Sequence, residues 1–176
     1  FGLAHPTGTQ RITMDMQVNE GAQVRVLSHC LFPFVQDGQH RMQAVMTINP
    51  GASLTYTEGH YHGPYGGMQV LPHATIKIGK GARYFSDFSL LSGSVGNLDI
   101  NYLVEVEEDG LAELSAKIFA HQRDRLTLKE AVMLRGERSR SLIKTRVVLE
   151  DDATAEITGI TEAYAKGTRG HVDCME

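Results

Sequence analysis

The residue types most able to do chemistry are concentrated at the end of the chain. Residues 167–176, GTRGHVDCME, bring together a thiol, an imidazole and two carboxylates, which are groups that bind transition metals. If this segment is a strand, Cys174 and Glu176 share one face and His171 lies on the other. A cofactor- or metal-binding site formed by Cys174, Glu176 and His171 is therefore one interpretation of this segment. Arg169 could favour the thiolate form of the cysteine. Residue types alone favour the other interpretation, a buried structural cysteine, because free cysteines are commonly buried.

A second group of metal-binding residue types occurs at residues 58–63, which read EGHYHG. On a strand, His60 and His62 would project from the same face and could bind a metal through neutral imidazoles. The surrounding glycines and Pro64 fit a polar loop as well, and no third ligand in register is evident. His60 and His62 are therefore the weaker metal-site candidates. Cys30 opens the apolar run CLFPF and is interpreted as a core residue.

Composition excludes several classes of function. The 176 residues include 17 basic and 21 acidic side chains, a net charge of -4, which argues against a non-specific nucleic-acid-binding protein. No G-x-x-x-x-G-K-[ST] phosphate loop is present, so we expect any ATP-driven step to belong to a partner. Only two cysteines occur and no secretory signal is visible, so we expect a cytoplasmic protein.

A repeated pattern organises the elements that must position these residues. Five segments consist of alternating apolar residues, a turn centred on Gly-Ala or Asp-Ala, and a second alternating stretch. They read MQVNEGAQVRV, MTINPGASLTY, IKIGKGARYF, VEVEEDGLAEL and VVLEDDATAEI. The turn residues Gly21, Gly51, Gly81, Gly110 and Asp152 are spaced by 30, 30, 29 and 42 positions. A weaker turn around Gly136 could fill the last and longest gap.

Strand-turn-strand repeats of about 30 residues predict an all-β solenoid, because each unit can bury its apolar face only against the next. The alternative is a β-sandwich with regularly spaced turns. Residues 110–122 contain apolar residues at helical spacing as well as alternation, and their place in the repeat favours a strand.

Several segments resemble the SufB/SufD family, in particular its short archaeal-type and bacterial members. They are SHCLFPF, EGHYHGPYGG, GKGARYFSDFSL, LIKTRVVLEDDA and, most specifically, GTRGHVDCME. The resemblance covers essentially the whole chain. It implies a right-handed parallel β-helix and a non-enzymatic scaffold for iron–sulfur cluster assembly in the SUF system. It also implies a SufC-like ABC ATPase as partner, and either a homodimer or a SufB–SufD-type heterodimer.

The same resemblance implies how the chain relates to the family's domains. We expect residues 1–176 to form a single β-helix core domain, cut before a C-terminal helical region that docks the ATPase. Iron–sulfur clusters usually need about four ligands, mostly thiolates. Two cysteines cannot enclose a permanent cluster, which suits a scaffold that binds its product transiently. Cys174 would act as a thiolate, with Glu176 or His171 as labile co-ligands.

Two other functions compete with this hypothesis. The pair His60 and His62 in a glycine-rich all-β chain is compatible with a small cupin-like metalloenzyme, although the later carboxylate and histidine of such a site do not follow at suitable spacing. The chain could also be a purely structural, SufD-like β-helix subunit in which Cys174 belongs to the core.

Overall fold

The computed structural model describes residues 1–175 and contains twelve β-strands and no helix within them, hence no helix long and apolar enough to cross a membrane. The strands are β1 Thr7–Val18, β2 Gln23–Phe32, β3 Asp37–Ile48, β4 Ser53–His62, β5 Met68–Ile78, β6 Arg83–Leu90, β7 Gly96–Val106, β8 Leu111–Ala120, β9 Arg125–Leu134, β10 Arg140–Leu149, β11 Thr154–Ala163 and β12 Arg169–Met175.

The strands form a solenoid of six coils, each made of one odd-numbered and one even-numbered strand. The odd strands form one sheet in the order β1-β3-β5-β7-β9-β11, and the even strands form the other in the order β12-β10-β8-β6-β4-β2. Every pairing between these strands is parallel. The predicted parallel β-helix is therefore confirmed and the sandwich is excluded. Parallel crossovers are almost always right-handed, which agrees with the predicted hand.

The core consists of stacked files with one residue from each coil. Because successive coils pair in register, equivalent positions lie directly above one another. One such file contains Val18, Ile48, Ile78, Val106 and Leu134, all of them at most 2% exposed. Burying an aliphatic side chain of this size contributes about 1.5–3 kcal/mol. Residues 111–120 follow the same alternation as β8, so the strand interpretation of this segment is confirmed.

The turns between odd and even strands form one corner of the solenoid. The position with positive φ at this corner is occupied by Gly21, Gly51, Gly81, Asp109, Arg138 and Gly167. Neighbouring turns are joined by backbone hydrogen bonds, as where the Gly51 amide donates to the Lys80 carbonyl at 2.9 Å. Glycine adopts this left-handed conformation at no steric cost.

The fifth repeat identified in the sequence lies elsewhere. Its turn, at residues 150–153, joins β10 to β11 at the opposite corner. The weaker turn around Gly136 joins β9 to β10 and continues the first series. The long spacing of 42 residues therefore arises because its two anchors, Gly110 and Asp152, belong to turns at opposite corners of the solenoid.

The two ends of the solenoid differ from its middle. Within the part of the chain that the structure describes, β1 and β2 have no further strand beside them at one end, and β11 and β12 have none at the other. The inward residues Ala155 and Ile157 of β11 are only partly buried. Among residues 1–175, nothing covers the sheet interior next to β12, the strand that contains Cys174.

Candidate functional site

The terminal segment forms a strand, as predicted, and its two described candidate residues lie on opposite faces. β12 pairs with β10, placing Cys174 beside Thr145 and His171 beside Leu142. Thr145 is fully buried and points into the solenoid. Cys174 therefore continues an interior file, yet it is exposed. His171 lies on the outer face, so the described part of β12 does not bring the two side chains together. Glu176, the third predicted ligand, lies outside the described residues.

Polar groups lie beneath Cys174 inside the solenoid. The Thr145 hydroxyl donates a hydrogen bond of 3.1 Å to the Glu130 carboxylate. Gly159 lies one coil beyond Glu130 in the register, and a Cβ atom there would be 3.8 Å from the Cys174 sulfur. Burial raises the pKa of Glu130 to about 7, partly offset by the hydrogen bond from Thr145. The exposed thiol is thus followed inward by a hydroxyl and then by a carboxyl group able to gain or lose a proton near neutral pH.

An arginine holds the end of β12 in place. The Arg146 guanidinium donates to the Asp173 carbonyl at 2.8 Å, to the Thr145 carbonyl at 3.0 Å, and to the Asp173 carboxylate. The hydrogen bond from Arg146 lowers the pKa of Asp173. Arg146 therefore fixes the backbone next to Cys174.

The suggested influence of Arg169 on the thiol is not supported by its position. Arg169 begins β12, five residues before Cys174 and on the other face of the strand. Five residues of strand span about 16 Å. This distance is too great for Arg169 to act as a close charge partner of Cys174.

A second group of metal-binding residue types is buried near the opposite end of the solenoid. We call it the buried quartet: its ligand atoms lie within 4.8 Å of one another, and its members are Cys30, His40, Glu58 and His60. Cys30 comes from β2, His40 from β3, and the other two from β4. All four are at most 5% exposed. They occupy the space between the first coil, β1–β2, and the second, β3–β4.

Close contacts join the members of the quartet. The Cys30 sulfur lies 3.6 Å from Glu58 Oε1 and 3.8 Å from His40 Nε2. His60 Nε2 lies 2.8 Å from the same Glu58 oxygen. The Phe32 ring packs 5.1 Å from the His40 ring, and the Phe88 ring 5.0 Å from that of His60. Apolar rings therefore shield the group from water.

Neighbouring side chains orient the two quartet histidines. His40 Nδ1 lies 2.7 Å from Gln10 Oε1, while the Gln10 amide nitrogen donates to the Gly2 carbonyl. Since an amide oxygen can only accept, His40 donates through Nδ1 and its Nε2 lone pair faces Cys30. His60 Nδ1 lies 3.4 Å from His62 Nε2. His60 and His62 share one face of β4, as the sequence predicted.

Burial shifts the protonation equilibria of these groups. Burial, reinforced by the charge of Glu58, raises the pKa of the Cys30 thiol to about 12. Burial, followed by the charge of His60, lowers the pKa of His40 to about 4 and that of His62 to about 3. For Glu58, burial raises the pKa, but the hydrogen bond and charge of His60 outweigh burial and keep it low. A neutral Cys30 thiol and the neutral rings of His40 and His62 thus lie around the ionised Glu58 carboxylate.

Sequence reasoning found part of the quartet and missed its assembly. His60 and His62 were candidates, whereas Cys30 was assigned to the core and His40 was not considered. The signal was the repeat itself, because Cys30 pairs with His60 and Gln10 with His40, each 30 residues apart. The structure supplies the third and fourth ligand types that the pair His60 and His62 lacked.

Comparisons with known proteins agree with the resemblance seen in the sequence. No family model matches the chain. An iron-sulfur cluster assembly SufBD family protein of Methanocaldococcus jannaschii is 30% identical over 176 residues, which is the whole chain and 56% of that protein. Two further SufBD family proteins of this description, both from Pyrococcus horikoshii, are each 28% identical. The alignments cover 99% and 88% of this chain, and 53% and 34% of those proteins. The chain spans about half the length of the first two relatives.

Proposed function

The chain belongs to the iron–sulfur cluster assembly SufBD family, and from this premise we propose that it is a scaffold on which iron–sulfur clusters are built. The cluster is cargo that is assembled and passed on, and the chain itself is not an enzyme. The observation that carries this proposal is the position of Cys174, a thiol on the inward face of β12 that residues 1–175 leave exposed.

The chemistry of Cys174 fits a transient ligand. Thiolates are the usual ligands of iron–sulfur clusters, which commonly need four. Residues 1–175 offer one exposed thiol, since the other cysteine, Cys30, is buried. The remaining ligands would come from another subunit or from more of the full-length protein. Coordination shared in this way lets the product leave.

His171 and Glu176 remain proposed co-ligands of Cys174. His171 projects from the outer face of β12, which is an edge strand. With no strand beyond β12 among residues 1–175, it would meet a cluster around the outer edge of this strand or across a subunit interface. Imidazole and carboxylate groups bind iron less tightly than thiolate does, and ligands of this kind would ease release of the cluster.

The proposed assembly needs partners. A SufC-like ABC ATPase would supply the nucleotide-driven step, because the sequence has no phosphate loop. A second SufB/SufD-type subunit, identical or not, would complete a dimer beside β11 and β12, where the interior is accessible. We place this complex in the reducing cytoplasm, where exposed thiols stay reduced.

The antiparallel jelly roll of cupins does not match the parallel sheets of residues 1–175, so the cupin-like alternative is not supported.

A reconstitution experiment distinguishes the scaffold from the purely structural, SufD-like alternative. The full-length protein is reconstituted anaerobically with Fe²⁺ and sulfide, and its iron and acid-labile sulfide are measured. We expect the Cys174→Ser variant to lose the sulfide that the wild type retains.

The second cysteine provides the control for this experiment. Acid-labile sulfide reports the iron–sulfur cargo alone, so Cys30→Ser should retain it. Circular dichroism would establish that both variants are folded. Equal sulfide content in wild type and Cys174→Ser would reject Cys174 as a ligand and leave the chain as a structural platform.

A further inference from the structure

The structure assigns a second role to the solenoid: we propose that the buried quartet binds one resident divalent transition-metal ion, of the Zn²⁺ or Fe²⁺ kind. This ion is separate from the cargo at Cys174. It ties the first coil to the second, because Cys30 lies on β2 whereas the other three ligands lie on β3 and β4.

The ligand set matches the chemistry of such an ion. One thiolate, two imidazoles and one carboxylate are the ligand types of closed, four-coordinate zinc sites. Metal–ligand bonds of about 2.0–2.3 Å at tetrahedral angles separate ligand atoms by roughly 3.3–3.8 Å. The Cys30 sulfur lies 3.8 Å from His40 Nε2 and 3.6 Å from Glu58 Oε1. The hydrogen-bonded Glu58–His60 contact, at 2.8 Å, must open to admit the ion, and the other ligand atoms already lie within 4.8 Å of one another.

Charge also favours a divalent ion in this position. An isolated charge is costly to bury, so buried charges are usually paired or bound to metals. One thiolate and one carboxylate carry two negative charges, and a divalent cation neutralises both. The site would then be uncharged as a whole, which suits its enclosure by the aromatic rings of Phe32 and Phe88.

The surroundings of the histidines have the arrangement found around metal ligands. A metal-binding histidine usually donates its other ring N–H to a carbonyl, carboxylate or water, which fixes the lone pair toward the metal. His40 does this through Gln10 at 2.7 Å. His60 can do the same by donating from Nδ1 to His62, leaving Nε2 for the ion. Both donations leave a ring lone pair inside the quartet.

Two polar atoms at the quartet are buried without a hydrogen-bond partner among residues 1–175. They are Glu58 Oε2 and His62 Nδ1. Leaving a buried polar atom unpaired costs about 1–3 kcal/mol, so a purely structural hydrogen-bonded group is a poor explanation for this arrangement. A bound ion would give the Glu58 carboxylate a partner for either oxygen.

The experiment uses Co²⁺ as a probe, because thiolate coordination to Co²⁺ gives a charge-transfer absorption band. Full-length protein is freed of metal with a chelator and titrated anaerobically with Co²⁺. We expect one equivalent per chain and a charge-transfer band that Cys30→Ser abolishes and Cys174→Ser retains. Zn²⁺ added afterwards should displace the Co²⁺, because a four-coordinate site with a thiolate ligand favours Zn²⁺.

Several results would overturn the assignment. They are the absence of the band in the wild type, its loss in Cys174→Ser with retention in Cys30→Ser, or failure of Zn²⁺ to displace Co²⁺. No sulfide is added, so the outcome is independent of the proposed assembly function.

A milder variant keeps the test decisive if Cys30→Ser does not fold. Gln10 lies on the edge strand β1, is only half-buried and is not itself a ligand. Gln10→Ala should weaken Co²⁺ binding tenfold or more, as loss of a supporting hydrogen bond does at other metal sites. Gln69→Ala, at an exposed position on β5, is the matched control. Equal Co²⁺ affinity of these two variants would contradict the role of His40.

Discussion

The two cysteines occupy opposite environments, although both lie on inward-facing strand positions. Cys30 is covered by the first coils, and burial raises the pKa of its thiol to about 12. Cys174 belongs to the last described strand and is exposed. The same residue type can therefore serve a resident ion at one end of the solenoid and a transient cluster at the other.

The buried carboxyl group of Glu130 makes stability depend on pH. Its pKa rises from 4.5 to about 7 on folding, chiefly through burial, so the folded protein binds this proton more tightly than the unfolded chain. The contribution to the free energy of unfolding is full below pH 4.5 and is lost as pH rises through 7. A shift of this size corresponds to about 3 kcal/mol.

Substitution isolates this contribution. Glu130→Gln keeps an oxygen to accept the Thr145 hydrogen bond and removes the titration. Relative to wild type, we expect the variant to gain stability between pH 5 and pH 8, measured by urea denaturation at both values. Glu156→Gln, at an exposed position on β11, should follow the wild type. A difference in stability between wild type and Glu130→Gln that stayed constant from pH 5 to pH 8 would show that Glu130 does not titrate in this range.

For single residues, the sequence predicted the strand face of a side chain better than it predicted which side chains lie next to it. Alternation placed His60 and His62 on one face, and it separated His171 from Cys174. The sequence could not place His40 next to Cys30, because the two side chains come from different sheets. The spacing of 30 residues relates only positions within one sheet. The extent of burial at Glu130 likewise depends on packing between sheets, which alternation along one strand does not determine.

The turns give the clearest test at the scale of elements. Gly51 has a φ of +68°, and a Cβ atom there would meet nothing within 4 Å. Gly51→Ala should therefore cost about 1 kcal/mol through backbone strain alone. Gly59, on β4, has an ordinary φ, and its Cβ would make normal contacts at 3.6 and 3.7 Å.

Gly59→Ala is the matched control for the turn variant. It should leave stability unchanged or raise it by about 0.5 kcal/mol, because alanine restricts the unfolded chain. Urea denaturation midpoints measure both variants. Equal destabilisation by the two substitutions would show that the left-handed turn conformation does not determine the glycine positions.

The solenoid was predictable from the sequence because each repeat contains the same apolar alternation and turn. The repeat failed as a guide where the chemistry of the turn changed. Asp109 and Arg138 replace glycine at the positive-φ position, so the fourth turn was identified through the neighbouring Gly110 and the fifth only as a weak turn around Gly136. The Asp-Asp-Ala turn has a similar sequence, but it lies at the opposite corner and joins β10 to β11.

The shape of the whole molecule predicts association at one end. Inward residues of β11 and β12 are incompletely covered, and Val172 is 40% exposed. The apolar residues and strand edges that residues 1–175 leave uncovered at this end need cover, from more of the full-length protein or from another chain. We expect full-length protein to have twice the mass of one chain by light scattering.

Substitutions of two valines test whether the chains associate through this end or through the outer surface. Val172→Glu should reduce the mass to that of a single chain, because the charge would have to be buried in the contact. Val148→Glu, at a position on β10 that is 56% exposed, should remain dimeric. A monomeric wild type, or dimers formed by both variants, would argue against association through β11 and β12.

We propose that Cys174 holds iron–sulfur cargo at the end of the solenoid formed by β11 and β12. Mössbauer spectroscopy of full-length protein reconstituted anaerobically with ⁵⁷Fe and sulfide is the first experiment to perform, because it distinguishes sulfide-bridged iron from isolated ferrous ions. We expect a spectral component from sulfide-bridged iron in the wild type and its loss in Cys174→Ser. The same component at equal intensity in both proteins would show that Cys174 does not hold the cargo.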